Sequence, residues 1–259
     1  VMLYVTDEVI ASWVSHFLWP FFRLSGFLVI VPIMGSRLVP ARVRISLAFL
    51  MTLIIYPLMP AMPVIEAVNL QNFIMIAEQI IIGTTLGFIV LMMMQVFVLA
   101  GQTISMQMGL GFASMVDPSN GISVAVLSQW YQVLVTLVFL AINGHLLVLE
   151  VVIDSFYTLP IGEGLFGADQ WRVLAEFGSW LYKASLTLAL PAITALLLVN
   201  LAFGVMTRAA PQLNVFALGF PVTMMTGLVI VWVSYAAAAP LVEQFLETHV
   251  SLMRALIRF

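Results

Sequence analysis

Residues 184–207, ASLTLALPAITALLLVNLAFGVMT, and residues 209–242, AAPQLNVFALGFPVTMMTGLVIVWVSYAAAAPLV, are two long charge-free runs separated only by Arg208. A helix needs roughly 20 residues to cross about 30 Å of hydrocarbon, and each run is long enough. Pro211 lacks a backbone donor and disfavours helix at Ala210, so the segment Arg208–Asn214 is predicted to turn. The two runs read as a hydrophobic helical hairpin.

Composition extends that reading to the whole chain. Of 259 residues, 63% are hydrophobic and 8% charged, with a mean hydropathy of +1.14, whereas soluble domains carry about 25% charged residues. This is a membrane-class protein, one domain of several spans over residues 1–259. Cysteine is absent, which excludes disulfides, thiolate metal sites and cysteine nucleophiles. The net charge of −3 says little here, and no basic patch with interleaved aromatics suggests nucleic acid. The first residues have no positive n-region and no small-residue cleavage site, so the first apolar segment is expected to stay in place.

Val9–Pro32 reads as a first span, kinked near Pro20, with Trp13, Phe17, Trp19, Phe21 and Phe22 as an interfacial belt. Arg23 lies inside it, where an arginine costs about 3 kcal/mol on insertion scales. Either it snorkels to the interface or it pairs with a carboxylate or carbonyl in an assembly. Arg37, Arg42 and Arg44 cluster in the following turn as a positive-inside signal, offset by Arg172, Lys183, Arg254 and Arg258, so orientation stays open. Ile45–Ile65 is a second span, ending in the prolines 57, 60 and 63.

Residues 79–116 carry no charge, and 38 residues of helix would extend about 57 Å, too long for one straight span. Gly83 and Gly87 make a GxxxG pair suited to close helix contact. Thr84, Gln95, Gln102 and Ser105 fall on one helical face, implying either a protein or water neighbour or scattered amides within a bundle. Gly109-Leu-Gly111 and Asp117-Pro118-Ser-Asn-Gly121 mark residues 106–121 as an irregular loop. Ile122–Leu149 is a further apolar run, interrupted at Asn143-Gly-His145. Residues 150–183 form the one stretch that looks water-facing, and the C-terminal tail reads as an amphipathic helix. Methionines at 92–94, 106, 108, 115, 224 and 225 are either plain core or a compliant seal.

Catalytic signatures are missing. Lys183 follows Leu-Tyr, so there is no phosphate loop, and neither a GxSxG elbow nor an HExxH pair occurs. His16, His145 and His249 have no metal-ligand spacing. The chain is expected to be no enzyme and to bind no cofactor and no metal. Glu78, at the start of an apolar run, is the main candidate for a proton relay if the chain were an independent solute or ion transporter, but a carboxylate there also suits a helix N-terminus.

Four stretches carry a family resemblance: LALPAITALLLVNLAFGVMTRAAPQLNVFALGFPV (188–222), PIMGSRLVPARVR (32–44), QMGLGFASMVDP (107–118), and Asn143-Gly-His145 followed by DSFYTLPIG (154–162). In order and across almost the whole chain they resemble the FliR family of the flagellar export apparatus, which has a counterpart in type III secretion. The resemblance implies an all-α protein of polytopic helical hairpins with kinked helices, a FliP-like part (1–180) followed by a FliQ-like hairpin and tail (181–259). It implies an export-gate subunit in the bacterial inner membrane, at the flagellar basal body, built with FliP and FliQ and contacted by FlhB. Unfolded flagellar proteins would pass transiently, and partners as well as membrane lipid would cover its apolar surface, so fewer than six segments need cross the bilayer. The composition of residues 106–121, with Met106, Met108, Gly109, Leu110, Gly111, Phe112, Met115, Val116, Asp117 and Pro118, suits either a pore loop or plug or a static re-entrant turn packed between helices, and the resemblance agrees with the plug. Arg37, Arg42, Arg44, Asn200, Arg208, Pro211 and Gln212 are candidate assembly contacts, the first three as an assembly or lipid-headgroup contact, and Asn200 and Gln212 are expected to bond across helices.

Overall fold

A computed structural model describes residues 7–36, 38–64, 69–110, 114–116, 123–210, 215–234 and 238–258. The described residues are all-α apart from one small ribbon: α1 (Asp7–Ile30), α2 (Ala41–Ile55), α3 (Leu70–Gln107), β1 (Ser114–Val116), β2 (Ser123–Ala125), α4 (Val126–Ala141), α5 (Gly144–Thr158), α6 (Ala168–Ala209), α7 (Val215–Ser234) and α8 (Ala238–Ile257). A single 3-10 turn, Tyr56–Leu58, follows α2. Among the described residues four helices are long and apolar enough to cross a membrane, or up to six if the pairs α4/α5 and α7/α8 each count as one bent span.

Local chemistry sets the ends of these helices. Asn69 accepts a hydrogen bond from the Asn72 backbone at 2.9 Å and so caps α3, a standard N-terminal device. This start lies nine residues before Gln79, so Glu78 sits two turns inside α3 and not at its N-terminus, correcting the sequence expectation. Gln170 accepts from the Gly167 backbone N–H at the start of α6, the reach-back half of a capping box, and its amide donates to the Leu256 carbonyl at 2.8 Å. Asn143, at φ 57°, separates α4 from α5 in the left-handed region that asparagine tolerates. The second apolar run is shared by α7, to Ser234, and α8, from Ala238, two helices bent by 64° relative to each other. α6 runs unbroken through residue 180.

The chain forms two compact units, Val1–Leu91 with Asn143–Leu174 and Leu246–Phe259, and Met92–Ile142 with Ala175–Phe245. In the first, α1 crosses α3 at a contact made of glycines. A side-chain carbon at Gly83 would overlap the Arg23 carbonyl, one at Gly87 would lie 2.9 Å from the Phe27 carbonyl, and one at Gly26 2.6 Å from that of Ile80. The GxxxG reading is borne out, since only hydrogens fit between these backbones. Trp19 is fully buried and donates its indole N–H to the Pro63 carbonyl at 2.9 Å. It is a core residue rather than part of an interfacial belt, whereas Trp13 remains exposed. On α8, Leu246, Val250, Met253 and Ile257 are buried while Glu243, Glu247 and Ser251 stay exposed, so this tail is amphipathic as expected.

In the second unit, Met92, Met93, Met94, Val96 and Phe97 are core. Gly101 admits α4 closely, with Tyr131 and Ser128 atoms 2.8 and 2.9 Å from where a side-chain carbon would be. Gln102 ties the two helices together, its side-chain oxygen accepting from the Ala125 backbone at 3.1 Å and the Ser128 hydroxyl at 3.2 Å.

Candidate functional site

The loop that follows α3 begins as a helix cap. Met108 N–H bonds the Ile104 carbonyl at 3.0 Å and Gly109 N–H that of Met106 at 3.1 Å. Gly109 has φ +80°, the left-handed conformation with which glycine commonly ends a helix. The irregular segment therefore starts after Gln107 and not at Met106. Ser114–Val116 then pairs antiparallel with Ser123–Ala125, in the register Ser114↔Ala125, Met115↔Val124 and Val116↔Ser123, so this part is a short β-ribbon. Gly111, Phe112, Asp117 and Pro118 lie outside the described residues.

The base of this loop is seated on α7. Met108 is completely buried and Met106 is 64% exposed, so neighbouring methionines serve opposite surroundings. The Met108 side chain occupies the notch left by Gly227: a carbon added there would overlap Met108 Cγ and lie 2.6 and 2.7 Å from Sδ and Cε. One turn earlier, the buried Thr223 hydroxyl bonds the Phe220 carbonyl at 3.0 Å and reaches the Met108 carbonyl at 3.4 Å. The Phe220 ring lies 3.0 Å from the position a side-chain carbon of Gly109 would take. Residues 220, 223 and 227 follow the i, i+3, i+7 spacing of one helical face. That spacing, with two small residues in it, is the signal by which the seat could have been found in the sequence.

A second polar centre lies in the other unit. Arg23 is fully buried and uses all five guanidinium N–H groups. Nε and Nη2 donate to Gln79 Oε1 at 2.9 and 2.6 Å, Nη1 to the Ser155 carbonyl and hydroxyl at 2.7 and 2.9 Å, and Nη2 to the Leu159 carbonyl at 3.0 Å. Its guanidinium carbon stands 4.3 Å from the centre of the Phe156 ring. Arg23 does not snorkel. It pairs with carbonyls of its own chain, two of them at the C-terminal end of α5, where the helix dipole supplies partial negative charge.

The remaining candidates separate by location. Arg44 folds back on the turn before α2, donating to the Ser36 and Val39 carbonyls at 2.6 and 2.9 Å. Arg42 is exposed, and Arg37 lies outside the described residues. Arg208, in the last turn of α6, is exposed, while Pro211 and Gln212 are not among the described residues. Asn200 is exposed on α6 beside the exposed Leu197, Leu198 and Leu201, and no helix of this chain supplies it a hydrogen bond among the described residues. Only 17% of the apolar window of α6 is buried, against 67% for α3. The predicted polar stripe on α3 also divides: Gln102 bonds α4, Thr84 bonds the Ile81 carbonyl of its own helix at 2.9 Å, Gln95 is half-buried, and Ser105 is buried without a partner for its hydroxyl among the described residues. Glu78 is half-buried. No group of three or more His, Asp or Glu that could hold a metal occurs among the described residues.

Long apolar helices, bent pairs and a seated glycine-rich loop define a polytopic membrane-type protein with no assembled reaction centre among its described residues. The family model for bacterial export proteins, family 1, matches residues 14–249, and this chain belongs to that family. It is similar to flagellar biosynthetic protein FliR of Escherichia coli, 39% identical over 95% of this chain and 92% of the relative. The FliR of Pectobacterium carotovorum is 36% identical over the same shares, and that of Bacillus subtilis 28% over 93% of this chain and 94% of its own. The chain is thus a flagellar biosynthesis and export-family protein of the FliR kind, with helices compatible with a membrane location.

Proposed function

We propose that this chain is a core subunit of the flagellar type III export gate, forming with FliP and FliQ the channel through which unfolded flagellar proteins leave the cytoplasm. It would sit in the inner membrane at the basal body, in contact with FlhB. The chain itself contributes a passage rather than a reaction, and other components supply the energy.

The observation that carries this reading is the uncovered face of α6. An amide with no partner in hydrocarbon costs several kcal/mol, and Asn200, exposed among Leu197, Leu198 and Leu201, has no partner among the described residues. Such a face is suited to a protein neighbour more than to lipid alone. Arg42, exposed beside the turn that Arg44 staples, and Arg208 in the last turn of α6 are charged groups open to the same assembly.

Co-purification tests the assembly. In detergent the chain should come away with FliP and FliQ. A stable homo-oligomer that lacks both and transports a solute or ion would replace the gate reading by that of an independent transporter.

Within the gate, residues 106–121 act as the plug. Non-helical backbone at membrane depth is tolerated where protein buries it or water lines it, and apolar side chains such as Met106 and Leu110 can close a pore by excluding water. An assembled complex lacking residues 110–116 should leak ions across the membrane. A tight membrane with that deletion in place refutes the plug.

A further inference from the structure

We propose that α7 is the latch of this loop: Met108, wedged into the notch at Gly227, holds the loop base in its closed seat, and the loop opens only when Met108 leaves that notch. The inference rests on the plug reading, and adds to it the element that holds the plug and the movement that frees it.

Three contacts on one face of α7 converge on two consecutive residues of the loop base. Gly227 leaves space that the Met108 side chain fills down to Cε, Thr223 reaches the Met108 carbonyl, and the Phe220 ring stands over Gly109. Met108 and Thr223 are buried while Phe220 at the edge is 43% exposed, so the seat is deep at Gly227 and shallow at Phe220. The attachment is almost wholly apolar, with one hydroxyl contact whose proton is shared with the Phe220 carbonyl. Such a seat can be left without stranding a charged or strongly polar group.

Each participant has a property that suits release and reseating. Methionine has an unbranched side chain that repacks at low cost. Gly109, at φ +80°, is a residue from which the chain can change direction without side-chain strain. Pro221 lies inside α7 between Phe220 and Val222, so the helix lacks one backbone donor within the seat and can adjust there. A detent of this kind has two discrete arrangements, Met108 in or out, rather than a continuum.

Two variants of the assembled complex in its membrane test the latch. Gly227→Ala puts a carbon where Met108 now sits, and overpacking of this size shifts a two-state balance roughly tenfold. Ion leak should rise about tenfold while the complex remains intact. The second variant uses the absence of cysteine from this chain: Met108→Cys together with Gly227→Cys places two thiols within disulfide reach. Oxidation should leave the membrane tight and reduce export of flagellar substrates at least tenfold, and a reductant should restore it. The latch is overturned if the disulfide fails to form in the closed complex, if export continues through the oxidised form, or if Gly227→Ala assembles and remains tight while the 110–116 deletion leaks. A 110–116 deletion that stays tight overturns the plug reading itself, which separates the two failures.

Discussion

Replacing Arg23 by methionine keeps most of the stem volume and removes every bond of the buried guanidinium. Ser155 loses little, because its carbonyl still accepts from the Leu159 backbone at 3.0 Å and its hydroxyl still donates to the Val152 carbonyl at 2.6 Å. Gln79 Oε1 and the Leu159 carbonyl are left without their arginine donors, and a buried acceptor without a partner costs about 1–3 kcal/mol. Counted instead as five bonds at the roughly 0.6 kcal/mol measured for interhelical bonds in membranes, the loss is about 3 kcal/mol. The two routes agree on a destabilisation of about 3 kcal/mol, reduced by whatever burial of the charge had cost. For a chain of this size that lowers the unfolding midpoint in detergent by roughly 10 °C. Arg23→Lys should recover only part of this, since an ammonium has three donors and no planar fork. Arg23→Met with Gln79→Leu should regain stability over Arg23→Met alone by removing the larger stranded acceptor. An Arg23→Met protein that unfolds within about 1 °C of the wild type would refute the account of Arg23 as the tie between α1, α3 and α5.

Gly83→Ala should destabilise the chain by at least about 3 kcal/mol, because two helix backbones must separate, whereas Gly204→Ala, with open space around it, should be neutral or stabilising by up to about 1 kcal/mol; equal thermal midpoints for the two would contradict the α1–α3 crossing. Asn200→Leu should leave the isolated chain unchanged within about 0.5 kcal/mol and lower recovery of the complex modestly, and a loss as large as deletion of the hairpin would show a pore or ligand role instead. Arg42→Gln should reduce co-purification without altering stability, while Arg44→Gln, which gives up two carbonyl bonds, should cost about 1–3 kcal/mol in the chain alone; unfolding midpoints set beside pull-down yields distinguish them.

Class, helix content and near-neighbour geometry followed from local pattern, because hydropathy over 20 residues and glycines four apart report on a single helix and its immediate contact. The end of α6 at Ala209, the Gly83–Gly87 crossing and the amphipathic α8 are of this kind. What pattern could not supply was which distant residue answers a polar or aromatic side chain. Arg23 meets Gln79, Ser155 and Leu159 across separations of 56, 132 and 136 residues, and Trp19 meets Pro63 across 44; before those partners were in place, an arginine in a span could equally have snorkelled, and a tryptophan near its end could have lain at an interface. The start of α3 turned on the Asn69 cap, a one-residue signal overridden in the sequence by the charge of Glu78. The seat of the loop needed tertiary structure most of all, since the empty space at Gly227 acquires meaning only when Met108, 119 residues earlier, is packed into it.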